Sequence, residues 1–526
     1  MLKWWVRWAF VTMFADVHTV AFVGVCTVDV VVQVHVARGL PAFNIVGMPD
    51  KVVAESRDRI RAALSSVKAP MPPKRITVNL SPAGFSKEGS HYDLPIALGI
   101  LSATGALRQP EKLASYIVLG ELALDGRITP VSGVLAAMLN ARKLHKGVVC
   151  PHGNMTEAKL VCDIPVLGPK HLSSLVDYFN EVEGAAGVFA HHDLPVYEEP
   201  HAGGRLAQVM PDMQDVRGHS VAKRAMEIAA AGGHNILMIG PPGSGKSMIA
   251  KRLIGILPDL DAQEVLEINV ISSIMHKGMR HLVASRPFRE PHSSASLASM
   301  VGGGRQALPG EITLAHNGVL FLDELPEFSK SVLESLRQPL EDRQVVISRA
   351  NAHITYPANF QLVAAMNPCR CGYINDSGRK CARAPRCGAE YQGRISGPIM
   401  SRIDIKVEVE NVSMFAQKTC DNSTSSASMK ARVTGARSIQ AARYGDMRKN
   451  NAMLTAGEVE KFITRRMSDA AGKLLAKVLD IGRLSNRDAS KILKVARTIA
   501  DLAVCGEVAE NHVAEAVSFS DYHCGR

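Results

Sequence analysis

The sequence predicts an α/β protein whose central domain is built on a parallel sheet, and three features predict it. A short apolar run, Ile236 to Ile239, leads straight into Gly240-Pro241-Pro242-Gly243-Ser244-Gly245-Lys246-Ser247, and a helical pattern from Met248 to Leu257 follows. A second apolar run, Val319-Leu320-Phe321-Leu322, ends in two acids, Asp323 and Glu324. Between Asp212 and about Val409 strand-like and helix-like stretches alternate, as crossover helices on a parallel sheet require.

The flanking regions read differently. Residues 13–187 are mixed α and β. Val28 to Val34 is β-branched and strand-like, Asp50 to Ser65 has helical spacing, and Ile76 to Leu80 is a strand. Asp93 to Leu107 is a largely apolar helix, and Tyr116 to Leu122 is another strand. Residues 188–211, rich in Pro, Gly and His, read as a linker before the parallel-sheet segment 212–410. Residues 411–450 open with the polar tract Cys420 to Ser428 and read as a connector. Residues 451–526 are helical, with many Ala, Lys, Arg and Leu residues. Residues 1–12 form an extension, with Met13 an alternative start.

Composition narrows the class. The 526 residues suit about three domains. The formal charge is +11, which favours a polyanionic partner such as nucleic acid, although a solvating surface would also produce it. Ten cysteines are too sparse for a disulfide scaffold and fit a reducing compartment. Lys3 and Arg7 precede apolar residues, but Arg7 breaks the run and Asp16 and His18 follow it. A leader peptide is not indicated, and no uncharged stretch is long enough to span a membrane. A cytoplasmic protein is expected.

The segment Gly240 to Ser247 fits G-x-x-x-x-G-K-[ST] in the strand–loop–helix context that gives the pattern its meaning. Its glycines let successive backbone N–H groups face phosphate oxygens, and the helix start adds partial positive charge. Lys246 is expected on the β- and γ-phosphates of ATP and Ser247 on Mg²⁺. A buried strand ending in Asp323 and Glu324 delivers both carboxylates to the edge where such sheets bind ligands. Asp323 would hold the hydration shell of Mg²⁺, and Glu324 would orient and activate the attacking water.

Five longer segments carry a resemblance: Ala229 to Ser247, Phe288 to Ser296, Leu314 to Phe328, Ala364 to Cys369 and Arg394 to Asp404. Together they resemble the ComM/YifB family, AAA+ ATPases also called magnesium-chelatase-like proteins. The resemblance runs from about Met13 to Leu502. It implies a P-loop AAA+ parallel-sheet domain with a C-terminal helical lid, preceded by an α+β Lon-protease-like domain. It also implies roles. Asn367 looks like the sensor-1 residue near the γ-phosphate, Arg402 like an arginine finger offered to a neighbouring subunit, and Arg487 like the sensor-2 arginine of the lid. A finger acting in trans implies a ring, expected to be a hexamer. For each arginine an ordinary surface ion pair is the alternative. The chain departs from the family at Ser293, where a second His is usual, and at Ser401, where Asp is usual. Neither change touches the residues expected to face phosphate, so a loss of ATPase activity is not expected.

Within the Lon-like resemblance, His91 stands where the nucleophilic serine belongs and the lysine position falls on or near Leu135. A serine nucleophile needs a nearby base. Ser90 is one residue out of place, so a non-proteolytic domain is expected.

Cys369-x-Cys371-x9-Cys381-x5-Cys387 follows Asn367 directly. Four thiols at this density suggest a structural Zn²⁺, with unligated thiols as the alternative. In the family this chain resembles, many members carry two C-x-C pairs here, from which its second pair, C-x5-C, departs, and some members lack these cysteines, so catalysis is not expected to require them. Val345 to Ile354 reads as a hairpin whose Arg349 is either a DNA phosphate contact or a surface charge.

The function expected is a DNA motor of helicase or branch-migration type, in recombination or natural transformation, on single-stranded or branched DNA. The alternative is a chelatase-type motor for metal insertion or partner remodelling. Asp421-Asn422-Ser423-Thr424-Ser425 has the letters of a chelatase metal site but lies in a polar tract, so it is read as chance.

Overall fold

Strand Phe14–Val23 pairs antiparallel with strand Cys26–Ala37 along its whole length, from Phe14 opposite His35 to Val23 opposite Cys26. The computed structural model describes residues 13–161, 163–182, 211–278, 282–304, 307–349, 352–374, 381–411, 425–482 and 484–520. The chain divides into two units. The first comprises residues 1–204, 262–284 and 346–356, and the second the remainder. Two stretches inside the span 212–410, read from sequence as one domain, thus belong to the first unit.

The first unit is built on a seven-stranded sheet. Its order is Ala42–Val46, Arg75–Ser81, Cys26–Ala37, Phe14–Val23, Tyr116–Val118, Gly147–Val149, Val166–Leu167. Val30, Val32, Val34 and Val36 alternate along one strand and are all buried, the period-two signature of a sheet with one core face. Each such side chain stabilises by roughly 1.5–3 kcal/mol. Helix Lys51–Ser66 starts at Asp50, whose carboxylate accepts from the Val53 N–H at 2.8 Å. Every residue of helix Asp93–Ala103 is buried, which is why its sequence is apolar all round. The run Tyr116 to Leu122, expected as one strand, divides into Tyr116–Val118 and Glu121–Leu122, because Gly120 donates its N–H to His91 O instead of continuing the ladder.

The second unit is a five-stranded parallel sheet in the order Phe288–Arg289, Val319–Leu322, Gln361–Met366, Ile236–Ile239, Ile405–Glu408. In chain order this is second, third, fourth, first, fifth. The first strand therefore sits between the fourth and the fifth, where connections diverge to opposite sides and a ligand crevice opens at the C-terminal edge. Helices Ala456–Phe462, Asp469–Gly482, Asn486–Leu502 and Glu510–Ser518 form the helical C-terminal region. They share one apolar core with the sheet, including Phe321, Val363, Leu475, Ile499 and Val513.

Part of the expected connector is a helix, Ser426–Tyr444. Ser425 caps its start, accepting from Ser428 N–H at 3.2 Å, and Gly445 ends it at φ 68°. Met429, Val433, Ala436 and Gln440 are buried at helical spacing. The polar tract before it hid that sparse stripe. The expected extension 1–12, all but the last residue of the linker 188–211, and Asp421 to Thr424 lie outside the described residues. Among the described residues no helix is long and apolar enough to cross a membrane.

Candidate functional site

Strand register assembles the site. Ile239 pairs with Met366 and Leu322 with Ala364, so Gly240, Asn367, Asp323 and Glu324 all leave the sheet at its C-terminal edge. Gly243 and Gly245 have φ of 80° and 86°, a region costly for other residues, and the loop turns there into helix Lys246–Arg252. Pro241, Pro242 and Ser244 complete the loop.

Lys246 is buried, and its Nζ donates to Gly240 O at 2.7 Å, Pro241 O at 2.8 Å and Asn367 Oδ1 at 3.3 Å. Burial lowers its pKa, while Asp323 and Glu324 act in the opposite sense. Ser247 Oγ donates to Asp323 Oδ2 at 2.5 Å. A hydroxyl and a carboxylate oxygen thus converge, the hard oxygen donors that Mg²⁺ takes. Asp323 Oδ1 accepts the N–H of Glu324 at 2.9 Å, and Glu324 itself turns left-handed at φ 52°. That conformation costs a non-glycine residue roughly 1–2 kcal/mol. Of the two neighbouring carboxylates, that of Asp323 is engaged with Ser247, while Glu324 is exposed to solvent.

Arg402 lies at the opposite edge of the sheet. Its backbone oxygen accepts from Asn235 Nδ2 at 2.9 Å, and Asn235 immediately precedes the strand that feeds the phosphate loop. With a rise of ~3.3 Å per strand residue, the loop begins ~15 Å away. The Arg402 guanidinium donates to Glu341 and to Ser401 Oγ at 3.1 Å. Burial lowers its pKa, with further contributions from Arg487 and Arg337. Arg487 Nη2 also donates to Glu341 Oε1, at 3.3 Å. The structure therefore joins Arg402 to Arg487 and separates both from Lys246. Sequence reasoning missed Glu341, which sits in a charged run, Glu341-Asp342-Arg343, with nothing to single it out.

The four cysteines converge: the Sγ atoms of Cys369, Cys371, Cys381 and Cys387 lie within 4.8 Å of one another. Strands Gln344–Arg349 and Ala352–Pro357 pair as the expected ribbon, with the Arg349 side chain outside the described residues.

In the first unit, His91 is fully buried, its Nε2 2.9 Å from Val20 O, and burial pushes its pKa down to about 4. Ser90 Oγ donates to Glu121 Oε2 at 2.6 Å, and Lys277 Nζ lies 2.8 Å from the same oxygen. Burial raises the Glu121 pKa, but the hydrogen bonds from Lys277 and Ser90 outweigh it, leaving a weaker base than usual. Leu135 is buried and apolar.

Three family models match successive parts of the chain. Residues 212–417 match the family described as magnesium chelatase, subunit ChlI, and residues 423–520 match its C-terminal counterpart. Residues 32–154 match the family described as subunit ChlI of Mg-chelatase. Competence protein ComM of Haemophilus influenzae is 41% identical over 96% of this chain and 97% of its own length. Uncharacterized protein YifB of Escherichia coli is 42% identical, with 96% of each chain covered. The Magnesium-chelatase 67 kDa subunit of Chlorobaculum parvum is 28% identical over 29% of this chain and 23% of its own.

Proposed function

The chain belongs to the ComM/YifB family of magnesium-chelatase-like AAA+ ATPases, and on that premise we propose that it is a ring-forming motor that hydrolyses ATP to move or remodel DNA. The observation that carries the ATPase reading is the meeting of Lys246, Ser247, Asp323 and Asn367 at one sheet edge.

In this reading Lys246 releases the loop carbonyls of Gly240 and Pro241 and turns its Nζ donors to the β- and γ-phosphates. Ser247 and Asp323 hold Mg²⁺, which when bound neutralises charge on the phosphate oxygens. Glu324, exposed at the same sheet edge, orients the attacking water and takes its proton. Asn367 accepts from Lys246 and is positioned to sense the γ-phosphate. Arg402 and Arg487, at the far edge of the sheet, serve the nucleotide of a neighbouring subunit, which makes the assembled ring, expected to be a hexamer, the active species.

DNA is the substrate favoured by the +11 charge, by the ribbon carrying Arg349, and by the relative named for competence. A motor for metal insertion has less support, since likeness to the chelatase 67 kDa subunit covers 23% of that protein. The N-terminal unit is read as a non-proteolytic Lon-like fold, because Ser90 is bonded to a weakened base and His91 is buried.

The test is the ATPase rate with no DNA, single strands, duplex, forks and four-way junctions. Stimulation by DNA that weakens as salt rises supports the proposal, and Lys246→Ala removes all activity. Absence of both DNA binding and stimulation at moderate salt ends the DNA reading.

A further inference from the structure

We propose that Cys369, Cys371, Cys381 and Cys387 hold one Zn²⁺ as a tetrathiolate, and that this metal knuckle braces the phosphate loop against which it is packed. The coupling rests on the reading of Gly240 to Ser247 as the ATP site; the metal site does not.

The geometry fits the ion. Zinc–sulfur bonds of ≈ 2.3 Å in a tetrahedron put sulfur atoms ~3.8 Å apart. Cys369 and Cys371 Sγ are 3.2 Å apart, and all four sulfurs fall within 4.8 Å. Two come from a tight turn closed by Gly372 N–H to Cys369 O at 2.9 Å. The other two flank the start of helix Arg386–Gln392, where Cys387 N–H donates to Arg383 O at 2.9 Å. Gathering four sulfurs from two separate segments orders chain that has little apolar burial of its own. Among them only Cys369 is buried. A metal would supply the missing cross-link, as it does in small metal-held folds. On binding, each thiol gives its proton to water and its sulfur to zinc, so four protons leave and the centre carries two negative charges. Arg370, Arg383 and Arg386, which border the cysteines in sequence, suit that charge.

The knuckle touches the phosphate loop at two points. Gly372, at φ 86°, packs so tightly on Pro242 that a Cβ there would lie 2.4 Å from Pro242 Cδ. Two residues before Cys369, Asn367 Oδ1 accepts from Lys246 Nζ at 3.3 Å. Fixing Cys369 and Cys371 on a metal therefore fixes both a wall of the phosphate loop and a partner of its lysine.

Zinc is measured in the purified full-length chain by elemental mass spectrometry. About one zinc per chain is expected, lost in the Cys381→Ser/Cys387→Ser double variant and kept in Cys26→Ser/Cys505→Ser. Cobalt exchanged into the wild-type chain should give the intense thiolate-to-cobalt absorption of a tetrahedral sulfur site, which decides the matter even if the double variant does not fold. A wild-type chain that neither contains nor takes up zinc, or a double variant that keeps it, overturns the site. For the coupling, the Kd of a fluorescent ATP analogue should rise about tenfold in chelator-stripped protein and return on adding zinc. Gly372→Ala should keep its zinc and still bind nucleotide more weakly. Unchanged nucleotide affinity in the stripped protein overturns the coupling and leaves the metal site standing.

Discussion

Arg402 and Arg487 donate to the same carboxylate, Glu341. Two guanidiniums on one acid leave net positive charge at the sheet edge remote from Lys246. No side chain spans the ~15 Å that strand geometry puts between Asn235 and the phosphate loop. On the function proposed above, the phosphate these arginines meet belongs to a neighbouring chain. Arg402→Ala should lower kcat of the assembled protein about 10³-fold or more while sparing nucleotide binding. Mixing Arg402→Ala with Lys246→Ala chains should restore part of the ATPase rate, because each supplies what the other lacks. Mixtures as inactive as the separate variants would mean the finger does not act across an interface.

Glu324 follows Asp323 in a left-handed turn and is exposed, whereas Asp323 is bonded to Ser247. Glu324→Gln should lower kcat about 10²–10⁴-fold and leave ATP binding nearly unchanged, since the amide keeps the shape but cannot take a proton. Asp323→Asn should instead raise the Mg²⁺ concentration needed for half-maximal rate. Titrating Mg²⁺ against single-turnover hydrolysis separates the two roles.

Arg497 and Asp501 are buried together with Arg443. Arg497 Nη2 lies 3.0 Å from Asp501 Oδ1, and Arg443 Nη1 and Asn451 Nδ2 donate to Asp501 Oδ2 at 3.0 and 2.9 Å. Asp501→Ala would strand two buried cations, a loss of about 3–5 kcal/mol. Chemical denaturation should register it as a lower midpoint. A variant as stable as wild type would mean that solvent reaches this cluster.

His91 makes the first unit sensitive to acid. Its pKa is about 4 when folded against 6.5 in an exposed chain. Between those values the unfolded chain binds the proton and the folded one does not. Stability is full above pH about 6.5 and falls as pH drops towards 4, by up to about 1.4 kcal/mol per pH unit. His91→Gln keeps a side-chain donor for Val20 O and should flatten that limb of the stability–pH curve. An unaltered curve would assign the acid sensitivity to other groups.

The elements most legible in the sequence were those whose signal is local. Strand Val319–Leu322 and strand Ile236–Ile239 have the bounds that their apolar runs predict, because a fully buried strand is apolar at every position. Helix Ser426–Tyr444 was not legible. Its buried stripe is five residues among many polar ones, and only the elements it packs on give that stripe a core to face.

By itself the sequence determined the phosphate loop and the acids that answer it. Gly240 to Ser247 and Leu322 to Glu324 are each a continuous stretch whose backbone geometry is set by its own residues. Tertiary structure alone decided the rest: that Arg402 and Arg487 meet on Glu341, that four cysteines converge beside Pro242, and that residues 262–284 and 346–356 join the first unit. Those relations depend on strand order and on how helices return to the sheet. No short-range preference encodes them, since each brings together residues whose separation along the chain says nothing of their distance in space.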